Sequence, residues 1–231
     1  MRSDNPKNTY EFSVGLMAKA PQIGKVKTRL ASAIGEREAY DVYCEMLERI
    51  VSELVQKSCD TATNSIHWSW FVDPPDMVDI MRNKYPGFGM YTAQSDGDLG
   101  QRMQTAMTEL LKDSLSAVLI GADIPDLKLK HISAAFETLQ KSDAVFGPTT
   151  DGGYYLIGMN RVHPEIFGDI PWSSNETLGK TLSMCDKCGI RYRLLDDLSD
   201  LDTTSDFDRI IWRPRNFFEL TGLRNSGGRT K

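Results

Sequence analysis

The sequence predicts an α/β protein of three layers, with helices on both faces of a mixed, mostly parallel sheet. Short apolar runs alternate with longer segments whose apolar residues recur at helical spacing. One run, Ala117-Val118-Leu119-Ile120, is apolar without a break, as suits a strand buried on both faces. Charged and glycine-containing segments follow several of these runs, and ligands of such sheets bind outside the carboxyl ends of the strands.

Phe12 to Met17 reads as the first strand, and a basic loop follows it. Glu36–Lys57 is predicted as a long helix, because Tyr43, Met46, Leu47, Ile50, Val51 and Leu54 fall on one stripe. A second strand spans Ile66–Val72 and is stopped by Asp73-Pro74-Pro75. A short helix over Asp76–Lys84 and a strand over Gly89–Gln94 come next. Asp98 precedes a helix over Leu99–Leu111, in which Leu99, Met103, Met107, Leu110 and Leu111 repeat helically. After the buried strand come a helix near Leu129–Gln140 and strands at Ala144–Phe146 and Tyr154–Met159. The pattern closes with a helix near Glu176–Cys185, a strand at Arg191–Leu195 and a last helix beginning near Thr204. Residues 9–222 read as one domain, with 1–8 and 223–231 as flexible ends.

Composition limits the function. A chain of 231 residues is long enough for a substantial core. A net charge of −5 and a pI near 5.3, with the basic residues local rather than striped, argue against general nucleic-acid binding. No apolar run reaches the length of a membrane span and the N-terminus lacks a signal-peptide core, so the expected location is the cytoplasm. Cys185 and Cys188 form a Cys-x-x-Cys without a second close pair, and His67, His131 and His163 are scattered. Two cysteines near the end of an amphipathic helix fit better than zinc or redox chemistry.

Lys19, Lys25, Lys27 and Arg29 crowd a turn that contains Pro21 and Gly24. A basic, glycine-containing loop straight after a first strand suits an anionic ligand, usually phosphate; a solvated basic loop is the plain alternative. The central strand ends in Gly121-Ala122-Asp123-Ile124-Pro125-Asp126. Asp123 there is placed to hold a divalent cation through its oxygens, with Asp126 the structural acid beside Pro125. Gly147-Pro148-Thr149-Thr150-Asp151-Gly152-Gly153 reads both as a hairpin turn and as bare backbone against which a sugar or diphosphate can lie. Asp151 would then bond a hydroxyl or assist the metal. In the acidic stretch Asp196–Asp206, a cap explains Thr203 and Asp206, which leaves Asp200 or Asp202 as a second metal ligand. Asp98 reads chiefly as a helix cap, Arg102 as a contact to phosphate or nucleobase, and Trp172 as an acceptor wall or a core residue.

With these residues in view, the chain resembles nucleotide-diphospho-sugar transferases of the GT-A fold, in particular a small bacterial glycosyltransferase group associated with arsenosugar biosynthesis. The resemblance runs from Phe12 to Ile211 through five blocks in order. They are Lys19-Ala-Pro-x-x-Gly24-x-Val-Lys27-Thr-Arg29-Leu30, Gly97-Asp98-Leu99-Gly100-x-Arg102-Met103, Ile120-Gly-x-Asp123-x-Pro125-Asp126-Leu127, Gly147-Pro148-x-x-Asp151-Gly152-Gly153-Tyr154 and Leu201-Asp202-Thr203-x-x-Asp206. It implies a nucleotide on the first loop and a metal at the acid after the central strand. The chain departs from better-known members in having Asp123-Ile124-Pro125 where they carry Asp-x-Asp. The same fold and similar blocks occur in nucleotidyltransferases, including guanylyltransferases.

The resulting expectation is a glycosyltransferase using a nucleotide diphosphate-sugar, Mg2+ or Mn2+ and a small acceptor. Lys27, Arg29 and Lys19 would neutralise the diphosphate, and Asp123 with Asp202 or Asp200 would ligate the metal. Asp151 would orient substrate or act as a base. Gly24, Asp98, Arg102, Gly152, Gly153 and Trp172 would complete the binding surface. The alternative is a nucleotidyltransferase joining a nucleoside triphosphate to a phosphorylated acceptor with release of pyrophosphate.

Overall fold

Burial that alternates along the central strands organises the molecule. The computed structural model describes residues 10–57, 66–217 and 220. In the central strand Val118 and Ile120 enter one core, while Ala117 and Leu119 enter the other. An unbroken apolar run is therefore required, since each successive side chain meets a different helical layer.

The strands are β1 (Tyr10–Lys19), β2 (Ile66–Asp73), β3 (Met90–Ala93), β4 (Ser114–Gly121), β5 (Ala144–Pro148), β6 (Tyr154–Met159) and β7 (Tyr192–Leu194). They form a sheet in the order β3-β2-β1-β4-β6-β5-β7. Only β6 runs against its neighbours, pairing antiparallel with β4 and β5; the remaining pairs are parallel. The three-layer, mostly parallel α/β fold expected from the sequence is present.

The helices are α1 (Thr28–Ile34), α2 (Glu36–Ile50), α3 (Val78–Lys84), α4 (Leu99–Leu110), α5 (Leu129–Leu139) and α6 (Thr177–Cys188). α2, α3 and α5 cover one face through Tyr43, Leu47, Met81, Ile132 and Phe136. α4 and α6 cover the other through Met103, Met107 and Cys185. A third cluster joins α1 and α2 to the segment 201–210 through Leu30, Met46, Leu201 and Phe207. That cluster holds the late acidic stretch beside the early basic loop.

Several boundaries differ from the sequence reading. The stripe over 36–57 is α-helical only to Ile50 and continues as a π-helix over Val51–Gln56. The last helix is a 3-10 segment, Thr204–Asp208. α1 had no periodicity to announce it at seven residues. The expected flexible ends, 1–8 and 223–231, lie outside the described residues. Cys185 is buried on α6, and burial pushes its thiol up to about 12, which suits a core residue. No helix among the described residues is long and apolar enough to cross a membrane.

Candidate active site

The carboxyl ends of β1, β2, β4 and β5 surround two adjoining cavities, which meet at Arg29, Leu99, Asp123 and Asp202. The first, about 360 Å³, lies over β1 and is lined by Lys19, Lys25, Lys27, Arg29 and Arg102, with Asp73, Gln94 and Tyr43. The second, about 380 Å³, lies beyond β4 and is lined by Asp151, Asp200, Met103, Tyr154 and Trp172.

The basic loop is shaped by its own backbone. Ala20 N–H donates to the Asp73 carbonyl at 2.7 Å, tying the loop to β2, and Tyr43 Oη donates to the Lys19 carbonyl at 2.9 Å. Gly24 turns the chain with φ 72°, a value open to glycine because it has no Cβ. Lys27 also has positive φ, 48°, at the N-cap of α1. A lysine held in the left-handed region carries strain that the surrounding structure must over-determine.

Its side chain supplies the reason. The Lys27 side chain is 3% exposed and its Nζ lies 2.5 Å from Asp123 Oδ1 and 3.2 Å from Asp202 Oδ1. Burial works against its charge, but the charges and hydrogen bonds of Asp123 and Asp202 outweigh burial and hold its pKa above the usual lysine range. Arg29, well exposed, lies 3.7 Å from Asp202 Oδ2.

The acidic stretch reaches this point by ladder-like pairing. Leu198 N–H donates to Pro148 and Thr150 N–H to Leu198, and Leu201 N–H donates to the Asp123 carbonyl at 3.0 Å. Asp206 then fixes the local turn. Its Oδ2 accepts from the backbone of Asp202 and Thr203 at 2.9 and 2.6 Å and from Thr203 Oγ1 at 2.9 Å, while Arg209 pairs with Oδ1. Asp126 is likewise structural, accepting from the Ile211 and Trp212 backbone at 2.5 and 3.0 Å rather than capping α5.

In the second cavity, Asp151 Oδ1 accepts from Thr149 Oγ1 at 2.5 Å and from Gly153 N–H at 3.1 Å. Gly152, at φ 94°, lets this turn press on the loop before α6; a Cβ there would overlap the backbone of Asn175. Asp200 is half-buried, and burial, then the charges of Asp151 and Asp202, push its carboxyl up to about 6. Trp172 lines the cavity, and Cε2 and Cζ2 of its ring pack over the bare Cα of Gly100.

Most of the sequence-selected residues thus converge: Lys19, Lys27, Arg29, Arg102, Asp123 and Asp202 around the first cavity, and Asp151, Gly153, Trp172 and Asp200 around the second. Asp98, Gly24 and Gly152 line neither cavity. Asp98 caps α4, accepting from Gln101 N–H at 2.8 Å while Gln101 Oε1 accepts from Asp98 N–H at 3.0 Å, and the two glycines act through backbone shape. Sequence reasoning missed Asp73, Gln94 and Tyr43. Asp73 ends β2 as Asp123 follows β4, so the strand-end rule applied to it, but its Pro74-Pro75 neighbours read as a stop signal. Gln94 Nε2 donates to the Phe71 carbonyl and Arg102 reaches to 3.8 Å from Asp73, so these residues close the far end of the first cavity.

The donor set suits a hard divalent cation held jointly with phosphates. Mg2+ is commonly bound through one or two carboxylates plus substrate oxygens. Asp123 and Asp202 supply hard oxygens at the junction of the cavities, and the half-buried Asp200 carboxyl, raised first by burial and then by the charges of Asp151 and Asp202, lies near them. Among the described residues, no group of three or more His, Cys, Asp or Glu is disposed to hold an ion on protein ligands alone.

The sheet order, the helical layers and the strand-end cavities are those of a GT-A-like α/β fold. A structure from Desulfovibrio desulfuricans G20, provisionally named a nucleotide-diphospho-sugar transferase, superposes with a TM-score of 0.77 at 28% identity, covering 94% of this chain and 90% of that one. A family described as an uncharacterized protein conserved in bacteria, DUF2064, matches residues 59–174, half of the chain, and the chain belongs to that family. The matched segment contains Asp123, Asp151 and Trp172; the basic loop and the Asp200–Asp202 stretch lie outside it. The fold is also that of 4-diphosphocytidyl-2C-methyl-D-erythritol synthase from Anaerococcus prevotii DSM 20548, with a TM-score of 0.54 at 10% identity over 87% of this chain and 96% of that one. It is shared as well with inositol-1-phosphate CTP transferase from T. maritima, with a TM-score of 0.53 at 11% identity over 96% and 99%. None of the curated proteins matches the chain.

Proposed function

We propose that the protein is a divalent-metal-dependent glycosyltransferase that takes a nucleotide diphosphate-sugar into the first cavity and an uncharged hydroxyl-bearing acceptor into the second. The observation that carries this reading is the opposite charge of two cavities sharing Asp123, Asp202 and Arg29. The first gathers five cations, Lys19, Lys25, Lys27, Arg29 and Arg102, against three carboxylates, Asp73, Asp123 and Asp202, an excess of positive charge that suits a diphosphate. The second gathers four carboxylates, Asp123, Asp151, Asp200 and Asp202, against the single cation Arg29 among its described lining residues. That lining accepts hydrogen bonds from hydroxyls and offers the Trp172 and Tyr154 rings to a sugar face, but repels a phosphorylated acceptor. Nucleotidyl transfer onto a phosphate is therefore the weaker reading.

Lys27 and Arg29 would hold the diphosphate as negative charge builds on it, with Lys19 in support. Asp123 and Asp202 would hold Mg2+ or Mn2+, and the bound ion would supply Lewis-acid stabilisation of the leaving diphosphate. Asp151, with Oδ1 engaged in its own turn, would orient the acceptor hydroxyl or take its proton through Oδ2. Positioning of two substrates across a shared wall supplies the remainder of the catalysis.

Melting temperature is measured against nucleoside diphosphates, triphosphates and sugar nucleotides, each with and without Mn2+. Ligand at ~100 times its dissociation constant stabilises by ~2.7 kcal/mol, roughly 5–11 °C for a chain of this size. A metal-dependent rise with one sugar nucleotide supports the reading and names the donor. A rise with triphosphates alone, accompanied by pyrophosphate release, overturns it in favour of nucleotidyl transfer.

A further inference from the structure

Lys27 sits where a cation ligated by Asp123 and Asp202 would have to sit. Its ammonium is within 2.5 and 3.2 Å of oxygens from both carboxylates, its side chain is 3% exposed, and its backbone is kept at φ 48°. The Asp202 contact joins residues 175 apart in the chain, so it is a product of the assembled fold rather than of local sequence. An exposed lysine helping a diphosphate would need none of these features.

We propose that Lys27 is the resident counter-ion of the Asp123–Asp202 pair, and that a divalent cation gains access to that pair only when nucleotide phosphates draw the ammonium away. The inference rests on the metal-dependent reading above and concerns the order in which its parts assemble. A dication and an ammonium on the same two carboxylates lie a few ångströms apart and repel. Metal alone must therefore displace Lys27 into a cavity already rich in cations, with Lys19, Lys25 and Arg29 along its wall. A diphosphate changes both sides of this balance. It gives Lys27 new anionic oxygens next to the old ones, and it gives the metal the oxygen ligands that two carboxylates cannot supply by themselves. Nucleotide and metal then bind with positive coupling, and by linkage each tightens the other equally.

The test follows Mn2+ binding to the full chain by water-proton relaxation, which separates protein-bound ion from ion on free nucleotide. Wild type and Lys27→Asn are titrated with Mn2+ alone and with ADP, GDP, CDP or UDP as probe. Asparagine tolerates the left-handed backbone and removes the charge. Wild type is expected to bind Mn2+ at least tenfold more tightly with its preferred diphosphate than without. Lys27→Asn is expected to bind Mn2+ alone about tenfold or more tighter than wild type, with the coupling to nucleotide reduced. Adding Asp202→Asn to that variant should erase the gain. Mn2+ binding to wild type that is equally tight with and without nucleotide overturns the inference and leaves the metal-dependent reading standing; so does a Lys27→Asn protein that folds yet gains no affinity. Absence of Mn2+ binding under every condition overturns the metal-dependent reading itself. If Lys27→Asn does not fold, Lys27→Gly, which also accepts the positive φ and removes the charge, replaces it in the same titrations with the same expected and overturning results.

Discussion

Replacing Asp206 by alanine tests how the acidic stretch is held against the basic loop. The Asp206 side chain is 7% exposed and its Oδ2 accepts three hydrogen bonds, from the Asp202 and Thr203 backbone and from Thr203 Oγ1, while Oδ1 pairs with Arg209. A hydrogen bond to a charged group contributes about 1.5–3 kcal/mol, and donors left unpaired in a buried place lose about as much again. Because the three bonds share one oxygen they do not add, and a loss of about 3 kcal/mol is expected. At about 2–4 °C per kcal/mol for this size, the melting temperature should fall by roughly 6–12 °C.

The deficit also depends on pH. Burial works against the Asp206 charge, but the hydrogen bonds from Thr203, Asp202 and Arg209 outweigh burial and hold its pKa below the usual carboxylate range. A depressed folded pKa means that this stabilisation is present above the unfolded value, about 4, and is lost as pH falls through the folded one. Urea unfolding at pH 7 and pH 3 should therefore show a gap between wild type and variant that is wide at pH 7 and narrower at pH 3. A gap below about 1 kcal/mol at pH 7, or one that widens in acid, refutes the reasoning.

Four further outcomes are expected. Asp123→Asn should lower glycosyl transfer by about a hundredfold or more while the circular dichroism spectrum stays native; near-normal turnover removes Asp123 from the site. Gly121→Val fills the floor of the second cavity, where a Cβ meets nothing within 4 Å, so stability and nucleotide-induced melting shifts should persist while transfer to acceptor falls. Gly152→Ala sets a side chain against the Asn175 backbone at φ 94° and should destabilise by about 2 kcal/mol or more in urea titration. In metal-free buffer Asp200→Asn should be more stable than wild type at pH 7. The folded pKa of Asp200 is raised to about 6, so wild type loses stability as pH rises from the unfolded value through 6, and the advantage of the variant should vanish near pH 3.

The elements whose signals are local were legible in the sequence. The stripe of Tyr43, Met46, Leu47, Ile50, Val51 and Leu54 is buried as its spacing requires, and the unbroken run of β4 meets a core on both faces. Asp98 and Asp206 were readable as caps because a cap joins residues three apart. Places where propensity is weak were less readable. The seven residues of α1 carry too few turns for periodicity, and the last helix, expected to begin near Thr204, is a short 3-10 segment.

By itself the sequence determined the layered α/β plan, the basic loop and the acids at strand ends, since these follow from periodicity and from residue types near breaks in it. Tertiary structure decided which charges face each other. Nothing local to Lys27 foretells that its ammonium lies between Asp123 and Asp202, or that Asp73 and Gln94 close the same cavity. The parallel pairing of β1 with β2 and β4 brings their carboxyl ends side by side, and the Leu30–Leu201–Phe207 cluster presses the late acidic stretch onto the early basic loop. Electrostatic partnership depends on distance in space, and only the packed sheet and its helices set that distance.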